Sequence, residues 1–139
     1  MERLAELCFP SSPDQLRGMR TVVKTAVSLA GIDSEESALI VIAVNEACIN
    51  VMQHAYKGAR DGEIKLELFN NGEARELIVH LVDFAAPVNV DAIRPRDLED
   101  IRPGGLGTYF MREIMDSCEY GRLDGDQGNI LRMTKKYTG

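Results

Sequence analysis

Residues 63–82 read Glu63-Ile64-Lys65-Leu66-Glu67-Leu68-Phe69-Asn70-Asn71-Gly72-Glu73-Ala74-Arg75-Glu76-Leu77-Ile78-Val79-His80-Leu81-Val82. Glu63–Phe69 alternates charged and apolar side chains, the pattern of a strand with one face in water. Arg75–Val82 is a second, more apolar run. Asn70-Asn71-Gly72 between them is a hairpin signal, because Asn and Gly accept the backbone of a tight turn. A similar pair follows, with Cys118–Leu123 and Asn129–Tyr137 flanking Asp124-Gly125-Asp126-Gln127-Gly128. Hairpins join antiparallel neighbours, whereas parallel strands need long crossovers. The sheet is therefore expected to be mixed but mostly antiparallel.

Upstream, Leu4–Phe9 reads as a short strand stopped by Pro10-Ser11-Ser12-Pro13. Ser12 is placed to cap a helix whose first position is Pro13, where a missing N–H costs nothing. Leu16, Met19, Val23, Val27 and Ala30 mark one face of that helix, and Gly31 ends it. Asp33 opens a second helix, with Glu36 completing a capping box; it runs to about Tyr56 and closes at Gly58. Pro87–Pro103 is polar and irregular and reads as a long loop, a length usually tied to function. Gly104-Gly105-Leu106-Gly107 then leads into a third helix over about Thr108–Asp116. The predicted architecture is α+β, a two-layer sandwich with helices on one face of the sheet, in a single domain spanning 1–139.

Composition narrows the function. The chain has 139 residues, 45% hydrophobic and 27% charged, enough to bury a core. Its net charge of −6 argues against a direct nucleic-acid partner, which needs a basic face. Cys8, Cys48 and Cys118 are scattered and form no Cys-x-x-Cys pair, so they read as thiols of a cytosolic protein rather than a disulfide set or a zinc site. The acidic start Met1-Glu2-Arg3-Leu4-Ala5-Glu6 is unlike an export signal, and the longest apolar run, Ala38–Val44, is far short of the ~20 residues of a membrane span. A cytoplasmic protein with no membrane partner is expected.

The second helix carries an anomaly. From Ala38 to Met52 only Asn45, Glu46 and Asn50 are polar, and a helix apolar nearly all round is a buried one. At about 100° per residue, Glu46, Asn50, Gln53 and Lys57 form one stripe, with Leu39 and Ile42 on the same face a turn earlier. A solvated face with an i,i+4 pair would account for this. So would a helix that leaves the core to line a cleft, where a carboxylate can take a proton from a hydroxyl. A carboxamide oxygen one turn away can ligate Mg²⁺. Asp83 ends an apolar run, where it can cap the next turn or accept from an exocyclic amine. Gly104-Gly105-Leu106-Gly107-Thr108 precedes a helix, where free N–H groups favour phosphate. It is neither a Walker loop nor a dinucleotide fingerprint, since no Gly-Lys-Ser/Thr follows and no parallel βαβ unit surrounds it. His54 and His80 have no clustered ligands and read as structural, and Cys48 reads as core.

Taken in order, these features resemble the ATP-binding superfamily of gyrase, heat-shock chaperone ATPases, histidine kinases and mismatch-repair ATPases. Glu46-Ala47-Cys48-Ile49-Asn50 is similar to its Glu-x-x-x-Asn box, Asp83 to its adenine-binding aspartate, and Gly104-Gly105-Leu106-Gly107 to its second glycine box. The longer stretches Asn45–Tyr56 and Gly105–Asp116 resemble its small stand-alone branch, bacterial anti-sigma factors that are serine-protein kinases. The resemblance implies ATP and Mg²⁺ as cofactors. It makes Glu46 the catalytic base, Asn50 the metal ligand and Asp83 the acceptor of the adenine amino group. Arg102, Gly105, Leu106, Gly107 and Thr108 would lie at the phosphates, under a lid formed by Pro87–Pro103. It also implies a sigma factor and an anti-anti-sigma protein as partners, and a homodimer. One position departs: Ala85 stands where the family has the glycine of Asp-x-Gly, so its methyl would crowd the adenine pocket unless the backbone there needs no positive φ. A non-catalytic module that sequesters a partner, with ATP as a structural ligand or with nucleotide binding lost, is the alternative.

Overall fold

The computed structural model describes residues 1–85, 111–124 and 127–138. β2 (Glu63–Asn71) and β3 (Glu76–Asp83) form the expected hairpin, with Ile64 opposite Asp83 and Asn71 opposite Glu76. β4 (Ser117–Arg122) and β5 (Asn129–Lys136) form the other, and β5 docks antiparallel on β3. β1 (Glu2–Pro10) starts two residues before the expected strand and pairs with β2, with a bulge between Arg3 and Ala5. The sheet order is β1-β2-β3-β5-β4, and every pairing among the described residues is antiparallel.

Register sorts the side chains into rows across the sheet. Leu7, Leu66, Leu81 and Leu131 lie in one inward row. The next row holds Phe9, Ile64, Asp83, Asn129 and Arg122. The core is therefore apolar through the middle of the sheet and turns polar at the end where β3 stops. α1 (Leu16–Leu29) and α2 (Ser34–Asn50) cover the inward face, with Met19, Val23, Val27, Ile40, Val44 and Ala47 in the common core.

The helix ends differ in detail from the sequence expectation. A 3₁₀ turn, Pro13–Gln15, leads into α1. Ser12 does sit at its N-cap, but its side chain makes no cap bond; the Ser12 carbonyl accepts from the Gln15 N–H at 3.0 Å instead. At α2 the Asp33 carboxylate accepts from the Glu36 N–H at 2.8 Å, as the capping signal requires. The α-helix ends at Asn50 and continues as a π-turn, Val51–Ala55. The Gly58 N–H then reaches back to the Met52 carbonyl at 2.9 Å, with Gly58 at φ 85°. Lys57, at φ 52°, has already left the helix and does not extend the stripe.

The expectation for Leu39 and Ile42 is corrected: each is 45% exposed, and the core face of α2 is Ile40, Ala43, Val44 and Ala47. When a helix is apolar nearly all round, periodicity cannot say which side meets the sheet. For the same reason Ser34–Ala55, with 22 residues and mean hydropathy 1.4, has the length and composition of a membrane span, although no unbroken apolar run does. Its wholly buried Ile40, Ala43, Val44, Ala47 and Cys48 make it the core helix of this fold.

The outward face carries a row of charge: Glu6, Glu67, His80, Arg132 and Glu119 follow one another strand to strand. Arg132 Nε donates to His80 Nε2 at 3.1 Å, which requires the imidazole to be neutral at that nitrogen. Partial burial, helped by the Arg132 charge and opposed by Glu67, holds the His80 pKa below the usual histidine value. The unfolded chain thus binds the proton first as pH falls. The stability this contributes is complete above about pH 6.5 and is lost as pH drops through the folded-state pKa. Melting curves of wild type and His80→Gln between pH 7.5 and pH 5 should converge at the acid end; a constant difference would refute the assignment.

Candidate nucleotide site

The polar row at the end of the sheet is a built structure. Asp83 is the last residue of β3 and only 3% exposed. Its Oδ1 accepts from the Ala85 N–H at 3.0 Å and from Asn129 Nδ2 at 2.8 Å. The first bond is the local cap foreseen for this residue; the second joins strands 46 positions apart. Arg122 in turn donates to Asn129 Oδ1 at 2.9 Å, which fixes which way the Asn129 amide points. Desolvation raises the Asp83 pKa, while Asn129, the Ala85 N–H and the Arg122 charge oppose that rise. These donors hold the carboxylate in the form that accepts hydrogen bonds.

Close approach makes the row possible. A Cβ on Gly128 would lie 2.1 Å from the Asp83 carbonyl oxygen and 3.0 Å from the Phe84 Cα. On the other flank the Tyr56 hydroxyl donates to the Glu63 carbonyl and accepts from the Phe84 N–H at 2.9 Å. Gly62 leaves room for that ring, since a Cβ there would lie 2.4 Å from it. Tyr56 thus ties the end of α2 to the ends of β2 and β3.

Above the row is a narrow cleft of about 20 Å³. Ala47, Val51 and Ala55 form its helix wall, and Leu81 and Leu131 its floor. Among the described residues, Asn50, Asp83 and Tyr120 are the lining residues with polar side chains. An apolar slot with a few polar side chains has the chemical character of a heterocycle site, and it must widen to admit one. Asn50 is buried at 4% exposure on the cleft side of α2. Glu46 sits one helical turn away, about 6 Å along the axis, and does not line the cleft itself. Its Oε2 is buried and, among the described residues, has no hydrogen-bond partner, and desolvation raises its pKa. A buried polar oxygen left unpaired costs roughly 1–3 kcal/mol, so this carboxylate is held at the expense of stability. Neighbouring Asn45 is tied to α1 by Arg20 at 3.0 Å.

Residues 9–135 match the histidine kinase-like ATPase domain. The chain belongs to that family. The serine-protein kinase RsbW of Bacillus pumilus is 31% identical over 95% of this chain and 85% of the relative. RsbW of Listeria monocytogenes is 32% identical over 93% and 84%. Membership therefore extends to the RsbW serine-protein kinases. A crystal structure of the RsbU and RsbW domains of Rv1364c from Mycobacterium tuberculosis superposes with a TM-score of 0.66 at 14% identity. It covers 96% of this chain and 31% of that longer one, and it supports the fold alone.

The chain brings Asn50 and Asp83 to one cleft, with Glu46 one helical turn before Asn50 on the same helix. Gln53 is exposed and stands apart from the cleft. Ala85 has no left-handed backbone, the only non-glycine examples among the described residues being Lys57 and Arg75. The glycine that the family has there is thus not needed for its φ, and the Ala85 peptide is held by Asp83, Asn129 and Arg122. Arg102, Gly105, Leu106, Gly107 and Thr108 lie outside the described residues, as does the Pro87–Pro103 segment.

The sequence reading missed Arg122, Asn129, Gly128 and Tyr120. No motif flags them; only the β3–β5–β4 register, which puts Asp83, Asn129 and Arg122 in one row, could have found the first two. Tyr120 lies one row inward, opposite Leu131. Its hydroxyl is buried and, among the described residues, has no partner, and burial pushes its pKa up to about 12. The Arg112 guanidinium carbon lies 5.9 Å from the centre of its ring, and Arg112 Nε is also buried with no hydrogen-bond partner among the described residues.

Proposed function

We propose that the chain is a Mg-ATP-dependent protein-serine kinase that acts as an anti-sigma regulator in the cytoplasm. The observation that carries this reading is the convergence of Asn50 and Asp83 on one apolar cleft, with an unpaired carboxylate one turn along the same helix. Asp83 accepts the amino group of adenine with the oxygen lone pairs that Asn129 and Ala85 leave available. Asn50 offers a carboxamide oxygen to Mg²⁺, a hard cation that prefers oxygen donors and retains waters. The bound metal supplies charge neutralisation to the phosphates. Arg102, Gly105, Leu106, Gly107 and Thr108 are assigned to the phosphate end on the strength of the glycine motif.

Glu46 takes the proton of a partner's serine hydroxyl. A carboxylate whose pKa is raised by burial is a stronger base than an exposed one. The partner is an anti-anti-sigma protein carrying that serine, and the competing partner is a sigma factor; the active unit is a homodimer. Calorimetric titration with ATP tests the site. Asn50→Ala should weaken binding about tenfold or more in Mg²⁺ and little in excess chelator. Equal affinity of variant and wild type in Mg²⁺ would remove Asn50 from the metal site.

A further inference from the structure

Tyr120 has no place in the roles above, yet among the described residues it is one of three with polar side chains that line the cleft. Asp83, at the other polar corner, is an acceptor whose orientation is fixed by Asn129. Tyr120 is a donor: its phenol O–H is buried and, among the described residues, meets no acceptor. Leu131, directly opposite it on β5, and the nearby Leu81 and Ala47 side chains offer none. The ring itself is held from behind. Arg112 packs over it at 5.9 Å from the guanidinium carbon to the ring centre, a cation–π contact that restricts where the hydroxyl can go. A fixed acceptor and an unspent donor on one apolar slot match a heterocycle that presents an exocyclic amine beside a ring nitrogen. Adenine has that pattern; guanine presents a carbonyl and a ring N–H at the same edge.

The geometry points to Tyr120 as a specificity-determining residue for the nucleobase, its O–H donating to an acceptor nitrogen of the purine while Asp83 accepts from the exocyclic amine. This rests on the assignment of the cleft to ATP. It adds a second contact to the base, made by a residue on the edge strand β4 that the family motifs do not include. Nothing covalent changes; the hydrogen bond forms on binding and is lost on release.

The test is a titration of the full chain with ATP and with its 1-deaza, 3-deaza and 7-deaza analogues, for wild type and Tyr120→Phe. Wild type should bind one deaza analogue about three- to tenfold more weakly than ATP, the worth of one neutral hydrogen bond. Tyr120→Phe should bind ATP weaker by the same factor and should no longer distinguish that analogue from ATP. Its melting temperature without nucleotide should not fall, because an unpaired hydroxyl has been removed; a merely structural tyrosine would lower it. Wild type that binds ATP and all three analogues equally overturns the proposal, whatever the variant does. A variant that keeps full ATP affinity, or the same discrimination as wild type, also overturns it. Wild type that binds none of the four at millimolar concentration refutes the ATP assignment beneath it instead.

Discussion

Glu46→Gln is expected to lower phosphotransfer to a serine-bearing partner by about 10²- to 10⁴-fold, the usual contribution of a positioned general base. ATP binding should persist, because Glu46 is not part of the cleft wall. The amide keeps the shape of the side chain and removes only its basicity. The same substitution should raise stability at neutral pH, and the sign follows from the direction of the shift. The Glu46 pKa is raised in the folded chain by desolvation, so the unfolded chain gives up the proton first as pH rises. Stability associated with the protonated form is present below the unfolded value and is lost as pH climbs through the folded value. At pH 7 the buried carboxylate is therefore a liability, and its replacement by a neutral amide relieves it. Melting temperatures of wild type and variant should differ at pH 7 and approach each other near pH 4. Undiminished transfer by Glu46→Gln would exclude the base role outright.

Gly128→Ala is expected to be the most damaging single methyl among the described glycines. The added Cβ would lie 2.1 Å from the Asp83 carbonyl oxygen, and that neighbour is backbone at the last pair of the β3–β5 ladder. A flexible side chain could turn away; a paired strand cannot. Relief requires the strands to part at the position where Asn129 bonds Asp83. A loss of about 3 kcal/mol is expected, near the upper end for overpacking, or a melting temperature lower by roughly 10 °C. ATP affinity should fall at the same time, because the Asp83–Asn129–Arg122 row is displaced. Gly72→Ala is the control: a Cβ there meets nothing within 4 Å. Denaturant melts and ATP titrations of both variants check this, and a Gly128→Ala protein with native stability and affinity would show that the strands tolerate the insertion.

The sequence by itself determined the element order, the two hairpins and the identity of the motif residues, because each rests on local chemistry. The hairpin turn, which falls at 72–75 just after the expected Asn70-Asn71-Gly72, the Asp33 cap and the Gly58 helix stop act within a few residues of themselves. Alternation in β2 and the 3.6 spacing in α1 are likewise local, and Glu46, Asn50 and Asp83 could be singled out as polar residues on apolar elements. The tertiary structure alone decided three things. It chose the core face of α2, leaving Leu39 and Ile42 exposed, because a helix apolar all round has no preferred side until a sheet is placed against it. It joined Arg122 and Asn129 to Asp83, because cross-strand neighbours are set by register between segments distant in the chain. And it gave Gly128 and Tyr120 their importance, because steric room and an unpaired hydroxyl are properties of a surrounding that no stretch of sequence contains.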